Sequence, residues 1–235
     1  MSQRRTRLFL SRHGQTVWHA ENRYAGVSDV DLTSVGHEQA HRLAVWCQQA
    51  RPAAVVSSPV RRAVETALPS ARVLGTEPVL LEDLREVHFG IAEGRTLREL
   101  ERLDPGAVDR FRDDPVRHHF AGGEPSAQAA LRAERALRWI ARRYPGATVL
   151  VVAHNTLIRL ALCRLLGLEI SHYRTLFPRL DNGTLSEISL AADGEGHAAL
   201  HSLNVPLPGG RATTQNHLHS PPHVSTASTG DSYEK

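Results

Sequence analysis

Two short apolar runs in this sequence are each followed, directly or within three residues, by a histidine. Residues 8–10 lead through a serine and an arginine to His13, and Gly14 follows. Residues 149–153 lead directly to His154, after which a helix-like pattern begins. Such runs are typical of buried strands, and open α/β sheets bind ligands at the carboxyl ends of their strands. The sequence therefore predicts a sheet with both histidines at its ligand-binding edge.

Strand-like and helix-like segments alternate along most of the chain. The stretches "LTSVGHEQAHRLAVWCQQA" and "AQAALRAERALRWIARRY" repeat their apolar residues with a period close to that of a helix. Alternation of this kind indicates βαβ units. We therefore expect an α/β fold of three layers, αβα, with a doubly wound and mostly parallel sheet. The candidate strands are residues 7–11, 53–58, 78–81, 148–153 and 185–190, with an edge strand at 198–203.

The composition changes near Pro206, where proline, glycine, serine, threonine and histidine replace most apolar residues. Too few apolar side chains remain there to offset the entropy cost of ordering the chain. We therefore expect one domain over residues 1–205 and a disordered tail over residues 206–235. Three tail histidines could bind a metal weakly, but a solvated tail fits the composition better. They are His217, His219 and His223.

Charge and cysteine content argue against several kinds of partner. The net charge is +3 and no long basic run is present, which disfavours a nucleic-acid partner. No apolar run approaches the ~20 residues that span a membrane. We expect no secretory leader, because the apolar run behind the basic N-terminal residues is only three residues long. Cys47 and Cys163 are the two cysteines. They do not make a disulfide framework, so we expect buried thiols in a reducing cytoplasm.

A third strand-like run, "AAVVSS", is followed by Arg61 and Arg62 at the start of a helix. The free N–H groups and the dipole at a helix N-terminus favour anions, and arginine binds phosphate through paired hydrogen bonds. Because parallel strands end at one edge, we expect these arginines, Arg12 and the two histidines around one pocket. From the residues alone, a functional pocket and a structural role for the histidines remain equally open.

Several ordered blocks resemble the histidine phosphatase superfamily, which has the phosphoglycerate-mutase-like fold. The blocks are "RHGQT", "RYAGVSDVDLTSVGHEQA", "SSPVRRAVETA", "LREVHFGIAEG", "GGE" and "VVAHNTLIR", and they cover residues 8–188. The resemblance implies that His13 is the nucleophile and is phosphorylated on a ring nitrogen. It also implies that Arg12, Arg62 and His154 hold the phosphoryl oxygens. Glu86 would be the proton donor.

The implied chemistry needs neither a metal nor a cofactor, and we expect neither. A neutral imidazole is a competent nucleophile toward phosphorus. Arginines stabilise the charge on the transferring phosphoryl group, and a carboxylic acid of raised pKa can protonate an alkoxide. Arg61 competes with Arg62 for the role of second arginine. The family pattern favours Arg62, because it places this arginine directly before the alanine.

The sequence departs from the family pattern at four positions near the expected pocket. His19 stands where many members have an asparagine that contacts phosphate. Its ring can still donate one hydrogen bond, so we count it among the phosphate-binding candidates. Ala25 replaces a glutamine, Asp31 a proline and Ala92 an aromatic residue at the pocket mouth. The arginine-rich residues 94–123 are expected to cover the pocket, and their composition leaves the substrate open.

Three functions are compatible with the resemblance: a phosphomonoester phosphatase, a cofactor-dependent phosphoglycerate mutase and a silent relative that binds phosphorylated ligands. Mutases of this superfamily resemble one another in a longer insertion between Glu86 and His154, with lysine, tyrosine and paired arginines. Here that segment contains no lysine and no tyrosine before Tyr144. Every proposed chemical group is present, which disfavours the silent relative. We therefore predict a metal-independent phosphatase of small phosphorylated metabolites that forms a phosphohistidine.

Overall fold

The computed structural model describes residues 4–209. Within this range one sheet contains the strands β1 Arg5–Arg12, β2 Ala54–Ser57, β3 Val79–Leu80, β4 Thr148–Ala153, β5 Leu185–Ala191 and β6 Ala199–Val205. Their order across the sheet is β3-β2-β4-β1-β5-β6. Strands β1 to β4 are parallel, whereas β5 is antiparallel to β1, and β6 to β5. The predicted α/β class with a mostly parallel sheet is therefore confirmed, and the two antiparallel strands lie together on one side.

The neighbouring strands β1 and β4 bring the two histidines together. Arg12 pairs with Ala153 in the parallel register, so His13 and His154 leave the sheet side by side. The backbone N–H of His13 still donates to the carbonyl of Ala153 at 3.0 Å. The chain runs outward from β1 to β2 and β3 before it returns to β4. Such a reversal of strand order marks the ligand-binding crevice of doubly wound sheets.

Helices cover both faces of the sheet and complete the three predicted layers. The helices are α1 Ser34–Ala50, α2 Arg61–Val73, α3 Leu97–Leu103, α4 Pro105–Asp113, α5 Ser126–Arg143, α6 Asn155–Leu166 and α7 Tyr173–Leu176. Helices α1 and α2 pack on one face, and α5 and α6 on the other. Because strand side chains alternate, Leu150 of β4 belongs to the core under α1 and α2, whereas Val151 belongs to the opposite core.

The chain continues to contact the domain after β6. Leu207 is buried in the core under α1 and α2, and Arg42 donates a hydrogen bond to the carbonyl of Gly209. A core residue thus lies beyond the predicted domain boundary at residue 205. The remainder of the predicted tail, with its three histidines, lies outside the described residues. None of the helices within residues 4–209 has the length and apolar character needed to cross a membrane.

Two glycines let the start of α1 contact the loop that follows His13. A Cβ atom at Gly36 would lie 2.2 Å from the carbonyl oxygen of Gln15. A Cβ atom at Gly14 would lie 2.6 Å from the carbonyl oxygen of Gly36. Because both obstacles are backbone atoms, neither position can accept a side chain unless the loop or the helix moves. The first turn of α1 therefore supports the loop that carries His13.

We expect Gly36→Ala to reduce the free energy of unfolding by about 1–3 kcal/mol, the usual cost of overpacking, since the added methyl group displaces the loop. The matched control is Gly106→Ala in α4, where the one close contact of the added methyl group is the flexible end of the Arg110 side chain, at 2.9 Å, and the Asp104 side chain lies at an ordinary 3.7 Å. Urea unfolding should show a neutral or slightly stabilising effect there, because alanine favours helix. Equal stabilities of the two variants would contradict the proposed contact.

Candidate active site

The ring of His13 has a hydrogen-bond partner of defined type on each nitrogen. Nδ1 lies 2.8 Å from the carbonyl oxygen of Gly14, which can only accept. Nε2 lies 3.2 Å from Nε of Arg62, which can only donate. The neutral ring therefore carries its proton on Nδ1 and presents the lone pair of Nε2 toward the arginine. This is the tautomer that a nucleophilic Nε2 requires.

Arg62 is fully buried at the start of α2. Besides His13, its guanidinium contacts Nδ1 of His154 at 3.2 Å. It also donates three hydrogen bonds of 2.8–2.9 Å to backbone carbonyls. These carbonyls belong to Ala25, Gly26 and Ser28. None of these hydrogen bonds reaches a carboxylate, so the guanidinium keeps its charge without an ion-pair partner among the described residues.

His154 precedes the first residue of α6 and is also buried. Its Nδ1 accepts from Arg62, so Nε2 carries the proton and donates to the hydroxyl of Ser58 at 2.7 Å. The centroids of the His154 and His13 rings are 5.2 Å apart. The exits of β1, β2 and β4 thus each contribute a group to one cluster, as the sequence predicts.

Arg12 supplies the second buried guanidinium. Nη1 donates to the carbonyl of Leu180 at 2.9 Å, and Nη2 lies 2.5 Å from Nε2 of His19. Its Nε is buried and has no hydrogen-bond partner among residues 4–209. An unsatisfied buried donor is costly, so an anion that accepts from Arg12 Nε would relieve this cost.

Burial and the two arginines determine the charge state of the cluster. Burial, followed by the charge of Arg62, holds the pKa values of His13 and His154 well below the usual histidine range. Burial also lowers the pKa of Arg12 to about 10, so this guanidinium stays charged at neutral pH. The result is a pair of neutral imidazoles next to two cations, an arrangement suited to a doubly charged phosphoryl group.

Glu86 connects the cluster to the N-terminus of α6. Its carboxylate accepts backbone N–H groups from Val87 at 2.9 Å and from Thr156 and Leu157 at 3.0 Å. These bonds and Arg62 favour the ionised carboxylate, but burial outweighs them and raises the pKa of Glu86. A buried carboxyl group of raised pKa can hold a proton at a pH where ordinary glutamates have lost it.

Glu93 has a structural contact with the loop that binds Arg62. It accepts the backbone N–H of Gly26 at 3.0 Å and the hydroxyl of Ser28 at 2.7 Å. A further bond from the N–H of Phe89 is 3.0 Å long. The carbonyls of this loop hold the Arg62 guanidinium, so Glu93 fixes the arginine indirectly. Sequence reasoning missed this function, because bonds to backbone N–H groups leave no side-chain pattern.

Of the two remaining candidates from the sequence, Arg61 lies outside the cluster and His19 lies beside it. Arg61 is exposed and pairs with Glu65 at 2.8 Å and Asp31 at 3.0 Å, so the structure brings Arg62, and not Arg61, into the cluster. His19 lies against Arg12, and its Nε2 is 3.3 Å from Nδ2 of Asn182. His19 therefore contacts the predicted phosphate-binding arginine, and its own contact with phosphate remains a prediction.

Asn182 is a second residue that sequence reasoning missed. It lies in the loop before β5 and donates from Nδ2 to the backbone carbonyl of His13 at 2.7 Å. In the sequence it forms part of "DNG", which is typical of a turn. Its position beside His13 depends on the antiparallel pairing of β5 with β1, which only the folded sheet reveals.

The segment expected to cover the pocket folds into α3 and α4. Its Phe111 and Phe120 pack around Tyr24, whose ring centroid lies 5.8–5.9 Å from theirs. Arg23 forms a two-pronged ion pair with Glu99 of α3, at 2.8 and 3.1 Å. These contacts join the segment to the loop before Ala25. Ala92, which was expected at the pocket mouth, instead lies fully buried in the core, where a larger aromatic side chain would need new space.

Within residues 4–209, no three histidine, cysteine, aspartate or glutamate side chains are grouped so that they could hold a metal ion. The fold and site define an α/β protein with two buried guanidinium groups beside an unprotonated imidazole nitrogen, at the carboxyl ends of parallel strands. The chain belongs to the histidine phosphatase superfamily, because the model of that superfamily (branch 1) matches residues 8–204.

Individual relatives agree with this assignment. The chain is 30% identical over 184 residues to phosphoserine phosphatase 1 of Hydrogenobacter thermophilus, covering 78% of this chain and 86% of that protein. It is 37% identical over 196 residues to a bifunctional protein of Mycobacterium tuberculosis, covering 83% of this chain. The chain spans only about half, 53%, of the length of that relative.

A solved structure shares the fold. The native structure of mycobacterial glucosyl-3-phosphoglycerate phosphatase superposes with a TM-score of 0.78 at 28% sequence identity. The match covers 86% of this chain and 100% of the mycobacterial one. The two proteins therefore share the fold over most of this chain.

Proposed function

We propose that this protein hydrolyses small phosphomonoesters through a phosphohistidine on His13. The observation that carries the proposal is the unprotonated Nε2 of His13 beside Arg62, a buried guanidinium bonded only to neutral groups. A phosphoryl dianion would be the negatively charged partner that the Arg62 cation lacks among the described residues, and it would be held next to the nucleophile. Positioning and charge stabilisation are the main contributions of proteins to phosphoryl transfer.

In the first step the lone pair of His13 Nε2 forms a bond to phosphorus, and the bond from phosphorus to the ester oxygen breaks. Glu86 gives its proton to that leaving oxygen, so an alcohol departs and a carboxylate remains. The Nδ1 proton stays on the ring. Its hydrogen bond to the carbonyl of Gly14 stabilises the positive charge of the phosphorylated imidazole. Arg12 and Arg62 hold the phosphoryl oxygens. His154 joins them when its proton moves to Nδ1, since Nε2 can then accept from the Ser58 hydroxyl instead of donating to it.

In the second step a water oxygen forms a bond to phosphorus and the bond to His13 Nε2 breaks. The Glu86 carboxylate takes a proton from the water and is thereby returned to its acid form. Inorganic phosphate leaves, and the neutral His13 tautomer is restored. The raised pKa of Glu86 suits both roles, because a group that exchanges protons works best when its pKa approaches the working pH.

The names of the relatives support a phosphatase over a mutase. A phosphoserine phosphatase and a glucosyl-3-phosphoglycerate phosphatase both remove phosphate from small phosphorylated molecules, as their names state. We infer a substrate of the same general kind, acted on without metal or other cofactor. We further infer a cytoplasmic location, which the free and buried Cys47 and Cys163 support. Burial raises the pKa of each thiol to about 11, so both stay protonated.

The His13 intermediate is tested by rapid quench with ³²P-labelled substrate in the presence of excess chelator. The expected product is a phosphoprotein that is labile in acid and stable in base, and His13→Ala should abolish it. His41→Ala is the matched control, because His41 is exposed on α1, and it should keep the label. Undiminished label in His13→Ala, or dependence on an added divalent metal, would contradict the mechanism.

The role of Glu86 is tested by the identity of the leaving group. An alkyl phosphate such as phosphoserine releases a basic alkoxide that needs protonation, a contribution of about 10²–10⁴-fold. A nitrophenyl phosphate releases a stable phenolate that needs much less. Glu86→Gln should therefore slow the burst of His13 phosphorylation strongly for phosphoserine and weakly for nitrophenyl phosphate. An equal loss on both substrates would show that Glu86 is not the acid.

A further inference from the structure

Arg132, in the middle of α5, binds the backbone of the segment that carries Glu86. Its Nη1 donates to the carbonyl oxygens of Asp83 at 2.9 Å and Arg85 at 2.5 Å, and its Nη2 donates to the carbonyl of Glu86 itself at 3.0 Å. One guanidinium thus contacts three carbonyls within four consecutive residues. The side chain is only 12% exposed.

The same guanidinium is oriented by Glu124. The carboxylate accepts from Nε of Arg132 at 2.7 Å and from Nη2 at 2.8 Å, a planar two-pronged pair. Glu124 also reaches the far end of the same segment, since its backbone N–H donates to the carbonyl of His88 at 2.8 Å. The pair therefore holds residues 83–88 at both ends. A lysine could not reproduce these contacts, because it lacks the planar fork of five N–H groups.

The backbone of Glu86 receives little support from secondary structure. A single turn, Glu82–Leu84, precedes it, and residues 85–89 belong to no helix or strand. The Glu86 carboxylate nevertheless meets two N–H groups at the start of α6. Its position thus depends on contacts made by side chains from elsewhere. A displacement of about 1 Å in a catalytic group can cost about 10²-fold in rate, so these contacts are functionally important.

We propose that Arg132, oriented by Glu124, is the positioning residue for the proton donor Glu86. The proposal rests on the function proposed above, because it requires that Glu86 protonates the leaving group. Arg132 contacts the backbone of Glu86, so its removal should act mainly on the position of that carboxyl group. Its charge also adds to burial and Arg62 in lowering the pKa of His154, an effect that would slow both substrates of the test below alike. Removal of the guanidinium frees the segment, and the carboxyl group leaves the geometry in which it reaches the ester oxygen.

Arg135 provides a matched comparison on the same helix. It lies one turn further along α5 and approaches the side chain of Asp83 at 3.4 Å, but its own side chain is 69% exposed. It makes none of the backbone contacts described for Arg132. Surface pairs of this kind contribute little. Arg135→Met therefore removes a neighbouring arginine without loosening the segment.

The test is the burst rate of His13 phosphorylation with phosphoserine and with nitrophenyl phosphate, in Arg132→Met, Glu86→Gln, the double variant and Arg135→Met. We expect Arg132→Met to slow transfer from phosphoserine by about 10²-fold and transfer from nitrophenyl phosphate only a few-fold. In the double variant Arg132→Met should add nothing to the loss caused by Glu86→Gln. Arg135→Met should match the unchanged protein on both substrates.

Two outcomes overturn the proposal: equal slowing on both substrates by Arg132→Met, or a full additional loss in the double variant. Either would mean that Arg132 stabilises the fold in general. If Arg132→Met does not fold, Glu124→Gln is measured instead, and it should give a smaller loss with the same preference for phosphoserine. If Glu86→Gln itself shows no dependence on the leaving group, the assignment of the acid fails, and this result is distinct from the failure of Arg132 alone.

Discussion

Arg62 is a buried cation, and within the described part of the chain its guanidinium donates hydrogen bonds only to neutral groups. Burial of a charge without a paired opposite charge is costly, and burial accordingly lowers the pKa of this guanidinium. Hydrogen bonds from the surrounding structure offset part of that cost. The carbonyls of residues 25, 26 and 28 surround the guanidinium, and Glu93 fixes the loop to which they belong. A carboxylate partner would have lowered the cost of burial, but it would have neutralised the positive charge with which Arg62 is proposed to bind a phosphoryl group.

Burial and the same cation together keep His13, the proposed nucleophile, in its neutral state. A charged His13 next to Arg62 and Arg12 is unfavourable, so the imidazole remains neutral without a base to deprotonate it. The Gly14 carbonyl then selects the tautomer with its proton on Nδ1, because a carbonyl oxygen can only accept a hydrogen bond. Glu86 has the complementary property, since burial raises its pKa. Burial in one cluster thus lowers the pKa of the proposed nucleophile and raises the pKa of the proposed acid.

Much of this arrangement could be predicted from the sequence, for a clear physical reason. The residues that end β1 and β4 follow apolar runs, and parallel strands bring their ends to one edge, so the meeting of His13 and His154 was predictable. Arg132 was not, because its spacing with Arg135 resembles a solvated helix face. Glu93 and Asn182 bind backbone groups of distant segments, and such contacts exist only in the folded chain. Ala92 was placed at the pocket mouth by analogy, whereas the structure buries it in the core.

The central claim is that His13 is neutral, with its proton on Nδ1 and a free lone pair on Nε2. It is tested most directly by nitrogen NMR of ¹⁵N-histidine-labelled protein at about pH 6, where an ordinary histidine of pKa about 6.5 is mostly protonated. Because the His13 pKa is lowered, the signals lost in His13→Ala should show a protonated Nδ1 and an unprotonated Nε2. Signals of a doubly protonated ring at that pH, or a proton on Nε2, would contradict the account.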